Sequence, residues 1–232
     1  MSILKIGIPS KGRLQDDTVD WFASRGLTLK RTGSAREYSG AFEGLPDVEP
    51  VLLSAGEIPK ELAAGHIHLG VTGTDLIHEK LPLRETQVQM MAEMGFGFAD
   101  LIIAVPKFWI DVSTIDDLDA VAAEFRSTHR FRLRIATKYH NVVRDYLKRV
   151  GVADYQLVDS QGATEGTIRN LTAEAIADIT TTGATLEANH LKTLRDEPLL
   201  KSQACLWKSL TADWDNVPGW AGFAAKLGWD AS

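Results

Sequence analysis

The chain has 232 residues, of which 44% are hydrophobic and 24% charged. This ordinary globular balance excludes disordered, collagen-like and low-complexity sequence, and allows one large domain or two small ones. Acids outnumber bases by 31 to 25, for a formal charge of −6, which argues against a surface built to neutralise a nucleic-acid backbone. The single cysteine, Cys205, leaves no internal disulfide, and so little thiol argues against a His/Cys zinc site.

No stretch reaches the ~18 consecutive apolar residues of a membrane-spanning helix. Residues 1–9 lack the basic start and small-residue cleavage site of a signal peptide. The expectation is a soluble, cytoplasmic protein.

Residues 3–8 read as a strand. Residues 15–25 carry Val19, Phe22 and Ala23 at helical spacing, with Gly26 as the stop. A strand is expected at 48–53, a short helix at 58–64 closed by Gly65, and a strand at 67–71. Residues 87–99, with three of the four methionines, read as a crossover. A strand follows at 101–105, then a helix at 114–126 with Asp116 and Asp117 near its positive end. Further strands are expected at 133–136, 155–158 and 175–180, and helices at 141–150 and 186–194. Strand–helix alternation predicts an α/β fold of parallel βαβ units, and about eight strands predict two lobes. Trp207, Trp214, Trp220 and Trp229 crowd the last 30 residues. They read either as a tail packed on its own lobe or as a subunit interface.

The strongest chemical signal is the run Asp178-Ile179-Thr180-Thr181-Thr182-Gly183-Ala184-Thr185-Leu186. A turn between strand and helix offers amides to an anion. Gly183 permits close approach of the backbone, and Thr181, Thr182 and Thr185 offer hydroxyls. Neither a Walker loop nor a dinucleotide fingerprint fits, so the pattern suits a monophosphate, with a plain helix cap as the alternative. Asp178, Glu165 and Glu174 lie close in sequence, and acids beside a phosphate cradle suit ribose hydroxyls or Mg²⁺; Glu174 also reads as solvated or salt-bridged. Ser10, Lys11 and Arg13 follow the first strand, where α/β sheets bind ligands, and the two cations suit a polyphosphate. Arg36 is a third candidate cation, and Lys138 and Tyr139 follow another strand. His66 and His68 share a strand face without a third ligand nearby.

Together these pieces resemble the ATP phosphoribosyltransferase family, the first enzymes of histidine biosynthesis. Pro9-Ser10-Lys11-Gly12-Arg13-Leu14 is similar to the family's opening signature. Gly70-Val71-Thr72-Gly73-Thr74-Asp75, residues 133–139 with Asn141-Val142, and residues 178–186 with Asn189 resemble three further segments in the family's order.

The resemblance implies a two-lobed fold like a type II periplasmic binding protein, with the active site in the interlobe cleft. Lobe I would comprise residues 1–95 and 186–232, and lobe II residues 96–185. It implies transfer of phosphoribose from 5-phosphoribosyl 1-pyrophosphate to N1 of ATP, releasing pyrophosphate, with substrate-bound Mg²⁺. Lys11, Arg13 and Arg36 would act on the pyrophosphate. Glu165 and Asp178 would hold the ribose, and Thr181, Thr182, Gly183, Ala184 and Thr185 its phosphate. Ser10, Asp75, Lys138 and Tyr139 would line the ATP site or the adjoining cleft.

The length resembles the short catalytic form, which implies a histidyl-tRNA-synthetase-like regulatory partner and a homodimer within a hetero-octamer. Two departures stand out: Ser54 replaces an expected arginine, and residues 162–165 read Gly-Ala-Thr-Glu where Gly-Ser-x-Glu is usual. The rival readings are a non-catalytic anion- or solute-binding module of the same fold and a phosphoribosyltransferase for another base.

Overall fold

The computed structural model describes residues 3–31, 40–160 and 163–230. In chain order, the elements begin with β1 (Leu4–Pro9), α1 (Arg13–Ala23), β2 (Leu29–Arg31), β3 (Gly40–Phe42), β4 (Val48–Leu53), α2 (Ile58–Ala63) and β5 (Leu69–Gly73). Next come α3 (Thr74–Lys80), α4 (Arg84–Gln87), β6 (Val88–Glu93), β7 (Ala99–Pro106), α5 (Ile115–His129), β8 (Leu133–Thr137) and α6 (His140–Arg149). The chain continues with β9 (Tyr155–Asp159), α7 (Gly166–Arg169), β10 (Ala175–Thr180) and α8 (Ala184–Ala188), and ends with β11 (Leu191–Thr193), β12 (Leu200–Ser202), β13 (Ala204–Ser209) and α9 (Gly219–Leu227).

The chain forms two compact units, residues 1–97 with 203–232, and residues 98–202. The return to the first unit therefore falls near 203 rather than 185. The reason is pairing: β11 and β12 both add antiparallel to β7, which keeps residues 191–202 on the second sheet.

Unit 1 holds a five-stranded sheet in the order β4-β1-β5-β13-β6. β1 runs parallel to β4 and β5, but β13 is antiparallel to both β5 and β6. The expected crossover at 87–99 thus contains a strand. Leu4, Ile6, Ile8, Leu69, Val71 and Leu206 form one core with Phe22 and Phe223. Phe22, Phe42 and Phe223 meet edge-on with centroids 5.6–5.9 Å apart, a favoured aromatic geometry that ties α9 to this unit.

The tryptophan-rich tail packs on its own unit. Trp207 is buried, while Trp214, Trp220 and Trp229 lie partly buried against the core. The Lys208 ammonium sits 4.4 Å from the Trp214 ring centre, a cation–π contact.

Unit 2 holds a sheet ordered β11-β7-β10-β8-β9, with β12 also on β7. Only β10, β8 and β9 run parallel; β7 is antiparallel to β10. Uniformly parallel pairing is therefore corrected to mixed sheets in both units. Helix α5 starts in a capping box: Thr114 Oγ1 accepts from the Asp117 amide, and the Asp117 carboxylate accepts from the Thr114 amide. The Ser113 amide, which donates to Asp117 Oδ2 at 2.9 Å, holds the Asp117 carboxyl below the usual carboxylate range, helped by the Thr114 hydroxyl and amide. The helix expected at 186–194 is instead the five-residue α8 followed by β11. His190, at φ 56°, reverses the chain between them. No helix among the described residues is long and apolar enough to cross a membrane.

Candidate phosphoribosyl site

Parallel strands aim their carboxyl ends at one edge of a sheet, so β8, β9 and β10 deliver their following loops to the same rim of unit 2. A cavity of about 470 Å³ opens there, lined among others by Lys138 after β8, by Glu165, by Asp178 on β10, and by Thr180, Thr181, Thr182, Ala184 and Thr185. The sequence placed most of these side chains; the structure brings them to one concavity.

The loop after β10 is organised by its own hydroxyls. Gly183, at φ 72°, turns the chain into α8 in a conformation that side chains with a Cβ adopt at a cost. Its amide donates to Thr180 Oγ1 at 2.9 Å. The Ala184 amide reaches Thr182 Oγ1 at 3.4 Å, a weak bond. Two amides of the expected cradle are thus already engaged. Thr181 Oγ1 donates to the Phe98 carbonyl at 3.3 Å. Because α8 is only five residues long, local amides and hydroxyls matter more here than a helix dipole. Thr180 was not singled out in the sequence; its place three residues before the glycine is the signal that could have found it.

The acids separate into two roles. Asp178 and Glu165 line the cavity, and Asp178 Oδ1 accepts the following amide, of Ile179, at 2.8 Å. Glu174 does not line it. Its carboxylate instead accepts from the Arg134 backbone amide at 2.8 Å and from the Arg134 guanidinium through two nitrogens. Glu174 is a clamp between β8 and the start of β10, which agrees with the salt-bridged alternative. This pairing pushes the Arg134 pKa further up.

Tyr139 is a correction: it is 6% exposed and packs in the unit 2 core with Ile135 and Val143. An apolar ring at the start of α6 is better buried in that core than left in a polar cavity. Only its neighbour Lys138 reaches the cavity.

In unit 1, Ser10 and Lys11 link β1 to Gly12, which caps α1 at φ 75°; the Ser10 amide is tied to the Leu53 carbonyl at 2.8 Å. Lys11 and Arg13 are exposed, while Asp75 is buried in the first turn of α3. Arg36 lies outside the described residues. Ser54, where arginine was expected, opens a turn: its amide and hydroxyl both donate to Glu57 Oε2, at 3.0 and 2.7 Å. The His66–His68 pair gathers no third ligand, and no group of three potential metal-ligating side chains exists among the described residues. The cavity's side-chain donors are oxygens apart from Lys138, with two carboxylates. This set fits a hard cation carried mainly by substrate oxygens.

A larger and more open cleft, of about 570 Å³, lies elsewhere on unit 2 beside Arg132, His140, Arg144 and Lys148. It contains none of the residues of the phosphate-loop run.

Two mixed α/β units, one of them carrying acids and a hydroxyl-rich turn at its sheet rim, have the architecture of two-lobed, periplasmic-binding-protein-like folds. Solved structures agree on that architecture. The ATP phosphoribosyl transferase (HisG:HisZ) complex from Thermotoga maritima superposes with a TM-score of 0.72 at 23% identity, covering 97% of each chain. The substrate-binding protein of an amino acid ABC transporter superposes at 0.53 with 12% identity, covering 97% of this chain and 91% of that one.

Sequence comparison is more specific. The family profile described as HisG, ATP phosphoribosyltransferase, matches residues 54–218. An ATP phosphoribosyltransferase of Cereibacter sphaeroides is 65% identical over 226 residues, 97% of this chain and 96% of that protein. One from Rhodopseudomonas palustris is 51% identical over 91% of this chain, which spans only 65% of the relative's length. The chain belongs to the ATP phosphoribosyltransferase family, the transferases of the first step of histidine biosynthesis.

Proposed function

We propose that the chain is the short catalytic form of this enzyme. It joins ATP to 5-phosphoribosyl 1-pyrophosphate, giving N1-(5-phosphoribosyl)-ATP and pyrophosphate. The observation that carries this reading is the shared lining of one cavity by Glu165, Asp178 and the hydroxyl-rich turn. A sugar phosphate needs this combination: hydrogen-bond donors for the phosphate and acceptors for the ribose hydroxyls.

In this reading, Thr181, Thr182, Gly183, Ala184 and Thr185 hold the 5-phosphate, the Gly183 and Ala184 amides exchanging their Thr180 and Thr182 acceptors for phosphate oxygens. Glu165 and Asp178 accept from the ribose hydroxyls and fix the anomeric carbon. Lys138 adds positive charge beside the ring and its phosphates. Lys11 and Arg13, with Arg36, stabilise the negative charge that grows on the departing pyrophosphate. Ser10 and Asp75 serve the ATP side. Positive charge grows on the ribose as the bond to pyrophosphate lengthens, as in other glycosyl transfers, and the two carboxylates are suitably charged to stabilise it. Adenine N1 is a neutral nucleophile, so the residues need only orient it and exclude water. Mg²⁺ bound with the substrate would add to the neutralisation of the leaving group, beside Lys11 and Arg13.

The solved relative from Thermotoga maritima is a HisG:HisZ complex. By analogy, this chain works with a histidyl-tRNA-synthetase-like regulatory subunit, as a homodimer within a hetero-octamer, in the cytoplasm. The test mixes the chain with ATP, 5-phosphoribosyl 1-pyrophosphate and Mg²⁺, with and without that partner, and follows pyrophosphate. Release with ATP but not with free adenine supports the reading. No release in either mixture would leave a non-catalytic binder, and release only with another base would leave a different phosphoribosyltransferase.

A further inference from the structure

A buried run of hydroxyls in unit 2 remains without a role in this chemistry. Thr137 ends β8 and is 0% exposed, Ser160 follows β9 at 3%, and Thr164 stands before α7 at 0%. The Ser160 amide donates to the Thr137 carbonyl at 3.2 Å. The Ser160 hydroxyl donates to Thr164 Oγ1 at 2.8 Å, in full burial. The Thr164 carbonyl then accepts from the Thr167 amide at 3.1 Å and the Thr167 hydroxyl at 2.6 Å. Thr137 Oγ1 accepts the Tyr139 amide at 2.9 Å.

The next residue at each end of this run lines the cavity: Lys138 follows Thr137, and Glu165 follows Thr164. Glu165 is the N-cap residue of α7, and its side chain makes no capping bond there. Its backbone is fastened by the Ser160–Thr164 bond on one side and by the α7 turn on the other. Hydroxyls buried this deeply hold direction well, because breaking the bond leaves a polar atom without water.

We propose that Thr164 is a positioning residue for the sugar substrate: through its bond from Ser160, it fixes where the Glu165 carboxylate meets the ribose. The serine expected two residues before the glutamate is here replaced by a threonine one residue before it, and the structure gives that hydroxyl a partner from β9. The inference rests on the reading of Glu165 as a ribose ligand.

The test is a double-variant cycle read by calorimetric titration with 5-phosphoribosyl 1-pyrophosphate. Thr164→Val keeps the shape and removes the acceptor. Sugar-phosphate affinity is expected to fall about tenfold, roughly 1.4 kcal/mol, with KM for this substrate rising more than kcat falls. Thr164→Ser, which restores a hydroxyl, should recover most of the loss. Ser160→Ala removes the donor instead and should reproduce the loss, which keeps the test decisive if the valine variant does not fold. Combined with Glu165→Gln, Thr164→Val should add nothing further.

Full additivity of the two substitutions, or a serine variant as weak as the valine one, overturns the positioning role while leaving the ribose reading intact. Wild-type affinity in Glu165→Gln overturns the ribose reading itself, and this inference with it.

Discussion

Glu174 offers a sharp separation of structure from chemistry. It lies four residues before Asp178, but its carboxylate is spent on Arg134, with side-chain exposures of 14% and 28%. Glu174→Ala removes three hydrogen bonds that reach the Arg134 amide and guanidinium. Among the described residues it leaves a half-buried cation with one hydrogen bond, to the Leu171 carbonyl at 3.0 Å, and the Phe131 ring 5.3 Å from its guanidinium carbon. Breaking a fully buried ion pair costs about 3–5 kcal/mol and losing an exposed one about 0–1 kcal/mol, so this partly exposed pair falls between, about 2 kcal/mol. For a chain of this length that is roughly a 4–8 °C fall in melting temperature. Differential scanning calorimetry measures it, while initial rates below the melting range report turnover per folded molecule. The expected result is a large loss of stability with turnover within about twofold of wild type, since the carboxylate does not line the cavity. Unchanged melting with collapsed turnover would refute this assignment and return Glu174 to the active site.

Two further outcomes follow from the same geometry. Arg13→Ala should lower turnover by about 10²–10³-fold, by analogy with loss of one transition-state donor, with little change in sugar-substrate affinity; unchanged turnover would remove Arg13 from the chemistry. His68 gives a pH dependence. Burial lowers its pKa, with Lys5 adding to the shift, while the Asp213 carbonyl and carboxylate oppose it. Its Nδ1 accepts the Lys5 amide at 3.0 Å, which only a neutral ring can do. A depressed folded pKa means that the unfolded chain binds the proton more readily. Stability is therefore complete above the unfolded value of about 6.5 and declines as pH falls toward the folded one. His78, lowered by burial and by Arg84 against the opposing pull of Asp75, adds a second contribution of the same sign. Melting curves from pH 7.5 to 5 should show a shallower decline in His68→Asn than in wild type; an identical slope would contradict the argument.

The local elements were legible in the sequence where periodicity and punctuation agreed. The strands at 48–53 and 175–180 match β4 and β10, and the helix expected at 114–126, with Asp116 and Asp117 at its positive end, is α5. Pairing partners were not legible, because period-two patterning says which face is buried but not which strand lies alongside. That is why β13, arriving from the far end of the chain, turns the unit 1 sheet mixed. Leu191 and Leu194 stand at a helical spacing, and the left-handed turn at His190 lies between α8 and β11. At the site, residue types chosen for phosphate and ribose chemistry converged on one cavity. Tyr139 did not, since a strand-end tyrosine serves a core as readily as a cleft. The Ser160–Thr164 bond joins residues whose contact depends on how β9 and the turn before α7 are folded together, which no local motif records.

The most direct measurement is a crystal structure of the chain soaked with 5-phosphoribosyl 1-pyrophosphate. The account predicts the 5-phosphate within hydrogen-bond distance of residues 181–185 and the ribose hydroxyls against Glu165 and Asp178. A sugar phosphate bound instead beside Arg132, Arg144 and Lys148, with the cavity under Asp178 empty, would contradict it.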